Sequence, residues 1–540
     1  MPVSKSTRGK ATSTASVKSS SDLASKFAAL KATASKPSTS KPTANEKRPL
    51  PTSPASDPAK KRPKLTSLNA PPTTKLHIYV CGDGESGELG LGPLPINGKK
   101  PTSVKRPRLN PLLSASTAGV VQIAAGGMHC VALTHDQQIL TWGVNDDGAL
   151  GRDTTWEAPT RDIDGVFDLE DSDDESYLNP KESMPIAIPQ ESFSAIPGLF
   201  VQVVALDSAS FALTSTGSVY GWGTFRANDG ILGFTTASAK TKNSEKKFQR
   251  TPIPIPSLTK IISLAAGNNH ILALDTAGHV FSWGTLEQSQ LGRRLPRSRI
   301  TALTPAPVAL PPIAQIACGA YHSFAIAEDG KLYAWGANNF GQTGVPSSGG
   351  DANAVIPAPT IVEALGGYTI RGIAGGEHHS LACTQEGQVL IWGRCDDSQA
   401  GMNLSTLPGG NLVFDARGRP RILAPTLIPG LSFVAAVAVG IDHSFAVTSH
   451  GAAYSWGFSE NYRTGLGADE TVGTPTLVGE GKIIIATECG GQFSVLAGPA
   501  GLEGDTHIMN YGHGVMAGQA GMEKYKLLAS RAGMSGPAGT

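Results

Sequence analysis

Residues 319–336 read "GAYHSFAIAEDGKLYAWG", with His322 standing thirteen residues before Trp335. Apolar and polar residues alternate between them as they do in two short strands with one buried face each, and Asp329-Gly330 is a hairpin-turn pair. The spacing recurs along the chain. Trp-Gly pairs at Trp142, Trp222, Trp283, Trp335, Trp392 and Trp456 use six of the seven tryptophans, and thirteen residues before each stands His129, Ala209, His270, His322, His379 or His443. One more turn, "CGGQFS", puts Phe493 in the histidine place. Eight residues after the station comes Gly217, Gly278, Gly330, Gly387, Gly451 or Gly501, with Gln137 the single exception.

A strand of the type "IAQIACG" precedes each turn, and a loop closing on glycine (Gly151, Gly292, Gly344, Gly401, Gly465) follows Trp-Gly. Each unit is therefore four antiparallel strands, repeated every 50 to 80 residues. Four short strands cannot bury both faces alone, whereas a radial stack can, so the expected fold is all-β: a seven-bladed β-propeller of four-stranded antiparallel blades. The first unit, "YVCGDGESGELGLG", has Cys81 in place of tryptophan and no turn before it, while the last turn has no tryptophan after it. The N-terminal strands are thus expected to complete the last blade, with "NYGHGVMAGQAG" at 510–521 a competitor through Tyr511. The domain reading is a tail at 1–73, a propeller at 74–515 with an acidic insertion at 157–185, and a C-terminal tail at 516–540.

The chain of 540 residues carries a net charge of +1, which hides an asymmetry. Residues 1–70 hold 14 Lys/Arg against 3 Asp/Glu, leaving 31 (45 − 14) against 41 (44 − 3) in the remainder. The tail is rich in Ser, Thr, Ala, Pro and Lys, has Phe27 as its only aromatic residue, and is expected to be disordered. Lys47-Arg48 followed by Lys60-Lys61-Arg62 and Lys64 resembles a bipartite nuclear import signal, and the same charges suit phosphates. The first residues, "MPVSKSTRGK", hold no apolar core that could serve as a signal peptide, and no run approaches the length of a membrane span, so a soluble nuclear protein is expected. The six cysteines have no CxxC spacing and read as reduced, buried thiols. Eight acids between Asp162 and Glu175 mark a solvated insertion to which no function is assigned.

No GxxxxGK[ST], HExxH or GxSxG occurs, so nucleotide-gripping or hydrolytic chemistry, a cofactor and a metal are not expected. A histidine behind two glycines, as at His129, can be a base, a metal ligand or a polar hook. A station that also accepts Ala209 and Phe493 does not carry obligatory chemistry, and the hook that orders its own turn is the preferred reading.

The turns "GGMHCVAL", "GNNHILAL", "GAYHSFAI", "GEHHSLAC" and "GIDHSFAV", paired with "TWGVNDDGALG" or "AWGANNFGQTG", resemble the regulator of chromosome condensation family over residues 77 to about 510. The unit at 205–233, with its "FRANDG", resembles that family's third blade. The resemblance implies a chromatin-associated guanine nucleotide exchange factor for the small GTPase Ran, serving nucleocytoplasmic transport and mitosis and acting as a monomer without covalent chemistry. Its partners would be Ran, nucleosomes and DNA, and an importin, with no membrane.

Antiparallel order puts the turn between strands one and two at the same end of a blade as the loop between strands three and four. The resemblance implies that Ran sits on this face. It carries exchange roles to Glu85, Asp207, Asn269 (where the family has an aspartate), His378 and His379. A wedge is expected in the insertion at 234–250, with Phe234 and Lys240. It also implies chromatin contacts for Arg293, Arg294, Arg297 and Arg299. The alternative is a propeller that kept the fold but, through Asn269 and Phe493, lost exchange and acts as a chromatin or protein scaffold.

Overall fold

The computed structural model describes residues 67–158, 178–194, 198–294, 299–346, 351–407, 410–415 and 417–500. Seven antiparallel sheets form the blades, with strands named A to D from the first in each unit. Blade 1 is Val120–Ala125, His129–Thr134, Ile139–Gly143 and Ile186–Ala187. Blade 2 is Phe200–Ala205, Ala209–Thr214, Val219–Gly223 and Gln249–Pro254. Blade 3 is Ile261–Ala266, His270–Asp275, Val280–Gly284 and Ala306–Pro307; blade 4 is Ile313–Cys318, His322–Ala327, Leu332–Ala337 and Val355–Ile361. Blade 5 is Ile370–Gly375, His379–Thr384, Val389–Arg394 and Pro420–Leu427, with Leu412–Phe414 as a fifth strand, and blade 6 is Val434–Val439, His443–Thr448, Ala453–Gly457 and Val472–Val478.

Blade 7 is made from both parts of the chain. Ala486–Cys489 and Phe493–Pro499 supply A and B, and Leu76–Gly82 and Val104–Leu109 supply C and D. The seam between Phe493–Pro499 and Leu76–Gly82 runs in unbroken register from Leu76 opposite Pro499 to Gly82 opposite Phe493. The N-terminal strand thus takes the closing role, and the competing stretch at 510–521 lies outside the described residues, as does the C-terminal tail.

The core lies between blades. Both faces of strand B are covered, so His322–Ala327 is buried throughout, and Trp142, Trp222, Trp283, Trp335, Trp392 and Trp456 are all buried. The hairpin between B and C turns on glycine in left-handed backbone, for example Gly330 at φ 85°. Gln137 adopts φ 66° without being glycine. Its side chain compensates, with Oε1 accepting the Phe200 N–H at 2.6 Å, a contact to the next blade that glycine could not make.

The station histidine is a hook between blades, not within its own turn. His322 Nε2 lies 2.8 Å from Ser380 Oγ, Ser380 Oγ donates to Gln342 O at 2.9 Å, and Trp392 Nε1 donates to the same carbonyl at 2.8 Å. The pairing repeats as His129–Ser210 and His270–Ser323 at 2.8 Å and as His379–Ser444 and His443–Ser494 at 2.9 Å. Gly319 is required there, because a Cβ would stand 2.1 Å from His322 Cε1. Where the station is Ala209 or Phe493, the serine place one blade on holds Ile271 or Cys130, so hook and receiver are lost together.

Two boundaries differ from those expected from composition. Residues 67–73, assigned to the disordered tail, are described and dock on the propeller. Leu68 and Asn69 donate backbone N–H groups to Ser215 O at 2.6 and 3.1 Å, and Asn69 Nδ2 reaches Ile261 O at 3.0 Å with the residue only 3% exposed. The acidic insertion ends before residue 178. Asn179 caps a short helix, Pro180–Ser183, and buried Ser183 accepts the Gly92 N–H at 2.9 Å, so this end is folded on the blade surface.

Candidate functional site

The A–B turns of all seven blades converge at one mouth of the central channel. Backbone bonds link neighbouring turns there: Asp207 N to Asn268 O at 3.0 Å, Asn268 N to Ala320 O at 3.2 Å, Ala320 N to Gly376 O at 2.9 Å, and Gly491 N to Gly127 O at 2.9 Å. The first variable residue of each turn (Gly127, Asp207, Asn268, Ala320, Glu377, Ile441, Gly491) lines a cavity of about 50 Å³. The second (Met128, Ser208, Asn269, Tyr321, His378, Asp442, Gln492) stands beside the C–D loops. This face is consequently a rigid rim whose chemistry is set by two residues per blade.

That chemistry is acidic. Burial pushes the Asp207 carboxyl up to about 7, with the nearby charge of Glu377 adding to the shift. Glu377 is itself raised, by burial and then by Asp442. The Tyr321 phenol is raised by burial and by both Glu377 and Asp207. On the blade 5 side Arg394 gathers three carboxylates: Asp396 Oδ1 at 2.5 Å, Asp397 Oδ2 at 2.6 Å and Asp442 Oδ1 at 3.1 Å. Burial works against the charge on Arg394, but the Asp396 hydrogen bond and these carboxylates hold its pKa above the usual value. Gln399 Nε2 donates to Asp442 Oδ1 at 2.9 Å, and the His378 ring stands edge-on to Phe340 with centroids 4.4 Å apart.

A two-stranded hairpin, Phe225–Ala227 with Gly230–Gly233, forms a sheet of its own in the blade 2 C–D connection. Its tip residues Asn228 and Asp229 are exposed, while Phe225 is buried at its base. Arg226 Nη1 pairs with Asp147 Oδ2 at 2.6 Å.

The expected site residues divide. Glu85 is exposed on the blade 7 loop, and Asp207, Asn269 and His378 lie on the rim. His379 does not join them: it is 0% exposed, hydrogen-bonded to Ser444, and held neutral with its pKa lowered to about 4 by burial. Phe234 is also misassigned, since it is 3% exposed and stacked on Phe211 and Phe225 at 5.7 and 5.8 Å. The separate two-stranded element is the earlier hairpin, while residues 242–246 of the following stretch are also exposed. Lys240 is exposed at the end of a one-turn helix, Thr236–Ala239.

Arg293 is a brace. Its Nε and Nη2 bond Ser282 Oγ and Ser282 O at 3.1 Å, as Arg152 bonds Thr141 in blade 1 at 3.0 and 2.7 Å. Arg294 is exposed. Arg297, the Arg299 side chain and the import cluster Lys47, Arg48, Lys60, Lys61, Arg62 and Lys64 lie outside the described residues.

Sequence reasoning missed Glu377, Asp442, Arg394, Arg226 and Asp147. Aligning the seven turns on the histidine station exposes the first two, because both occupy its variable columns. Reading the loop after each Trp-Gly in the same way finds Asp147 and Arg394. With the hook histidines buried and no nucleophile paired to an exposed base among the residues described at the rim, the arrangement suits rigid docking of a cationic surface.

The RCC1-like domain family matches residues 77–496. The guanine nucleotide exchange factor SRM1 of Saccharomyces cerevisiae is 42% identical over 437 residues, covering 78% of this chain and 87% of that protein. The crystal structure of Prp20p from Saccharomyces cerevisiae, described with its binding properties to Gsp1p and histones, has a TM-score of 0.69 and 38% identity, covering 86% of this chain and 97% of that one. The structure of Kap60 bound to yeast RCC1 (Prp20) has a TM-score of 0.70 and 36% identity, covering 90% and 99%.

Proposed function

We propose, from the premise that this chain belongs to the RCC1-like domain family, that it is a guanine nucleotide exchange factor for the small GTPase Ran. The observation that carries this reading is its 42% identity to an exchange factor over 437 residues. The work of exchange is differential binding. A face that holds the nucleotide-free GTPase more tightly than the GDP-bound form lowers the barrier to release, and a rate raised by about 10⁴ requires about 5.5 kcal/mol of such preference. The rigid turn ring suits that task, because a surface that does not relax around either state keeps its preference. The refilled site takes whichever nucleotide is in excess, and the propeller only speeds equilibration.

Asp207, Glu377, Asp442 and the hairpin tip are the groups expected to meet the GTPase, with Glu85, Asn269 and His378 beside them. The scaffold alternative drew on Phe493 and Asn269. Phe493 stands at a structural hook station, so its lack of a polar group costs the blade seam a hydrogen bond and leaves exchange chemistry untouched. The proposed setting is the nucleus and chromatin, with importin engaging the basic tail and nucleosomes meeting the tail and Arg294. The structures of relatives with Kap60, and with histone-binding properties, support the kinds of partner named here. The deciding experiment is release of a fluorescent GDP analogue from Ran at micromolar propeller: a rate equal to the spontaneous one sinks the exchange reading.

A further inference from the structure

The hairpin that rises from blade 2 is steered by a residue of blade 3. Its base is anchored by apolar packing, with Phe225 fully buried and stacked on Phe234. Packing of this kind holds position but leaves the direction of the emerging backbone open. Direction comes from Asn269. Its side-chain Oδ1 accepts the Arg226 backbone N–H at 2.8 Å, and its Nδ2 stands 3.5 Å from Asp207 Oδ2. The blade 3 turn holds Asn269 itself in place, because its backbone carbonyl accepts from Thr285 N at 2.8 Å and Thr285 Oγ1 at 3.0 Å.

An amide is the side chain that this place calls for. It offers an acceptor to the Arg226 N–H and a donor toward Asp207 from one planar group. A carboxylate could fill the first role only, and would set a second negative charge beside Asp207. The Arg226 guanidinium continues the chain to Asp147 of blade 1 at 2.6 Å. One line of polar contacts, Asp147–Arg226–Asn269–Asp207, therefore joins three blades at the foot of the only separate hairpin among the described residues.

We propose that Asn269 is the positioning residue of this hairpin, fixing through the Arg226 N–H the direction in which residues 225–233 are offered to the GTPase. The proposal rests on the reading that this face performs exchange. Asn269 acts through the backbone it holds, so its removal lowers the turnover of bound GTPase more than it lowers association.

The test measures amide hydrogen exchange over residues 225–233 in the free full-length chain, together with kcat and KM for release of fluorescent GDP from Ran. Asn269→Ala is expected to speed exchange at the Arg226 amide about two- to tenfold, the span that loss of one solvent-exposed hydrogen bond allows. Its kcat is expected to fall about tenfold or more while KM changes less than about threefold. Asn269→Asp keeps the acceptor, so it is expected to restore Arg226 protection while moving the pH profile of kcat upward, because the added carboxylate raises Asp207 further. Unchanged Arg226 protection in Asn269→Ala overturns the proposal, as does lost protection with kcat intact. A wild-type chain that fails to accelerate GDP release sinks the exchange reading instead, and the hydrogen-exchange arm still decides whether Asn269 holds the hairpin.

Discussion

His322 Nε2 lies 2.8 Å from Ser380 Oγ, one blade further round the ring. Every described station that holds histidine has serine at the receiving place, and the two stations that do not, Ala209 and Phe493, face Ile271 and Cys130. His322→Ala removes the ring donor from Ser380 Oγ, which keeps its own bond to Gln342 O, and opens a cavity, so a loss of about 2–4 kcal/mol is expected. The double variant with Ser380→Ala is expected to lose less than the sum of the singles, and urea unfolding of the four proteins of the cycle reads the difference. Additive losses would show that the pair does not act as a unit.

The hooks titrate in a direction that can be assigned. Burial lowers His322 to about 3, against about 6.5 unfolded, so as pH falls the unfolded chain binds that proton first and stability is lost from about pH 6.5 downward. His322→Gln removes the ring. Its cost relative to the unmodified chain is therefore expected to shrink by up to about 1.4 kcal/mol per pH unit between about pH 6.5 and 4. Glu488 has the opposite sign, since burial raises its carboxyl well above the usual range and its stabilising contribution, full below about pH 4.5, is lost as pH rises. Glu488→Gln is expected to gain on the unmodified chain as pH rises from 4.5 to 7, and thermal unfolding at both values checks the crossing trends.

Exchange should carry the signature of Asp207. With its carboxyl near 7, the rim gains negative charge between pH 6 and 8. The kcat/KM for GDP release is expected to climb across that range after correction for the GTPase's own spontaneous release. Asp207→Ala is expected to lower the value at pH 8 by about ten- to a hundredfold, which is 1.4–2.7 kcal/mol, and to flatten the slope. A slope that survives in the variant would assign the titration to another group.

The two adjacent arginines separate bracing from binding. Arg293→Ala removes bonds to Ser282 and Thr304 and is expected to lower the melting temperature by a few degrees with nucleosome affinity unchanged. Arg294→Ala is expected to leave melting unchanged and weaken nucleosome binding about threefold or more at 0.1 M salt, less at higher salt. Gel-shift titrations at two salt concentrations distinguish these outcomes.

The blades were legible because each repeats one solution to the same packing problem, so Trp335 and Gly330 each recur at a countable interval. The hook was legible only as a station. Its partner Ser380 lies 58 positions on in the chain and becomes visible when residue 380 is aligned with 323 and 444. Residues that differ from blade to blade hide from such counting, which is why Glu377, Asp442 and Arg394 needed the ring to bring them together. The hairpin is displaced in the sequence reading because the repeat absorbs "FRANDG" into its blade and the basic stretch after it draws the wedge, whereas Phe234 packs with Phe225 in the core at the hairpin's base. Asn69 shows the reverse error: its neighbourhood has the composition of a tail, and two hydrogen bonds at Ser215 and one at Ile261 are enough to hold it.

The seam between Leu76–Gly82 and Phe493–Pro499 also sets a timetable. A ribosome makes the first of these strands early and the second last, 417 residues apart (493 − 76). At about 5–20 residues per second, Leu76–Gly82 waits roughly 20–80 s for its partner. Throughout that interval the edge of this apolar strand that does not face Val104–Leu109 is unpaired and available to any other nascent edge. The last step of birth is therefore also the one that removes the hazard, and a chain halted before residue 493 leaves the ribosome with its ring open.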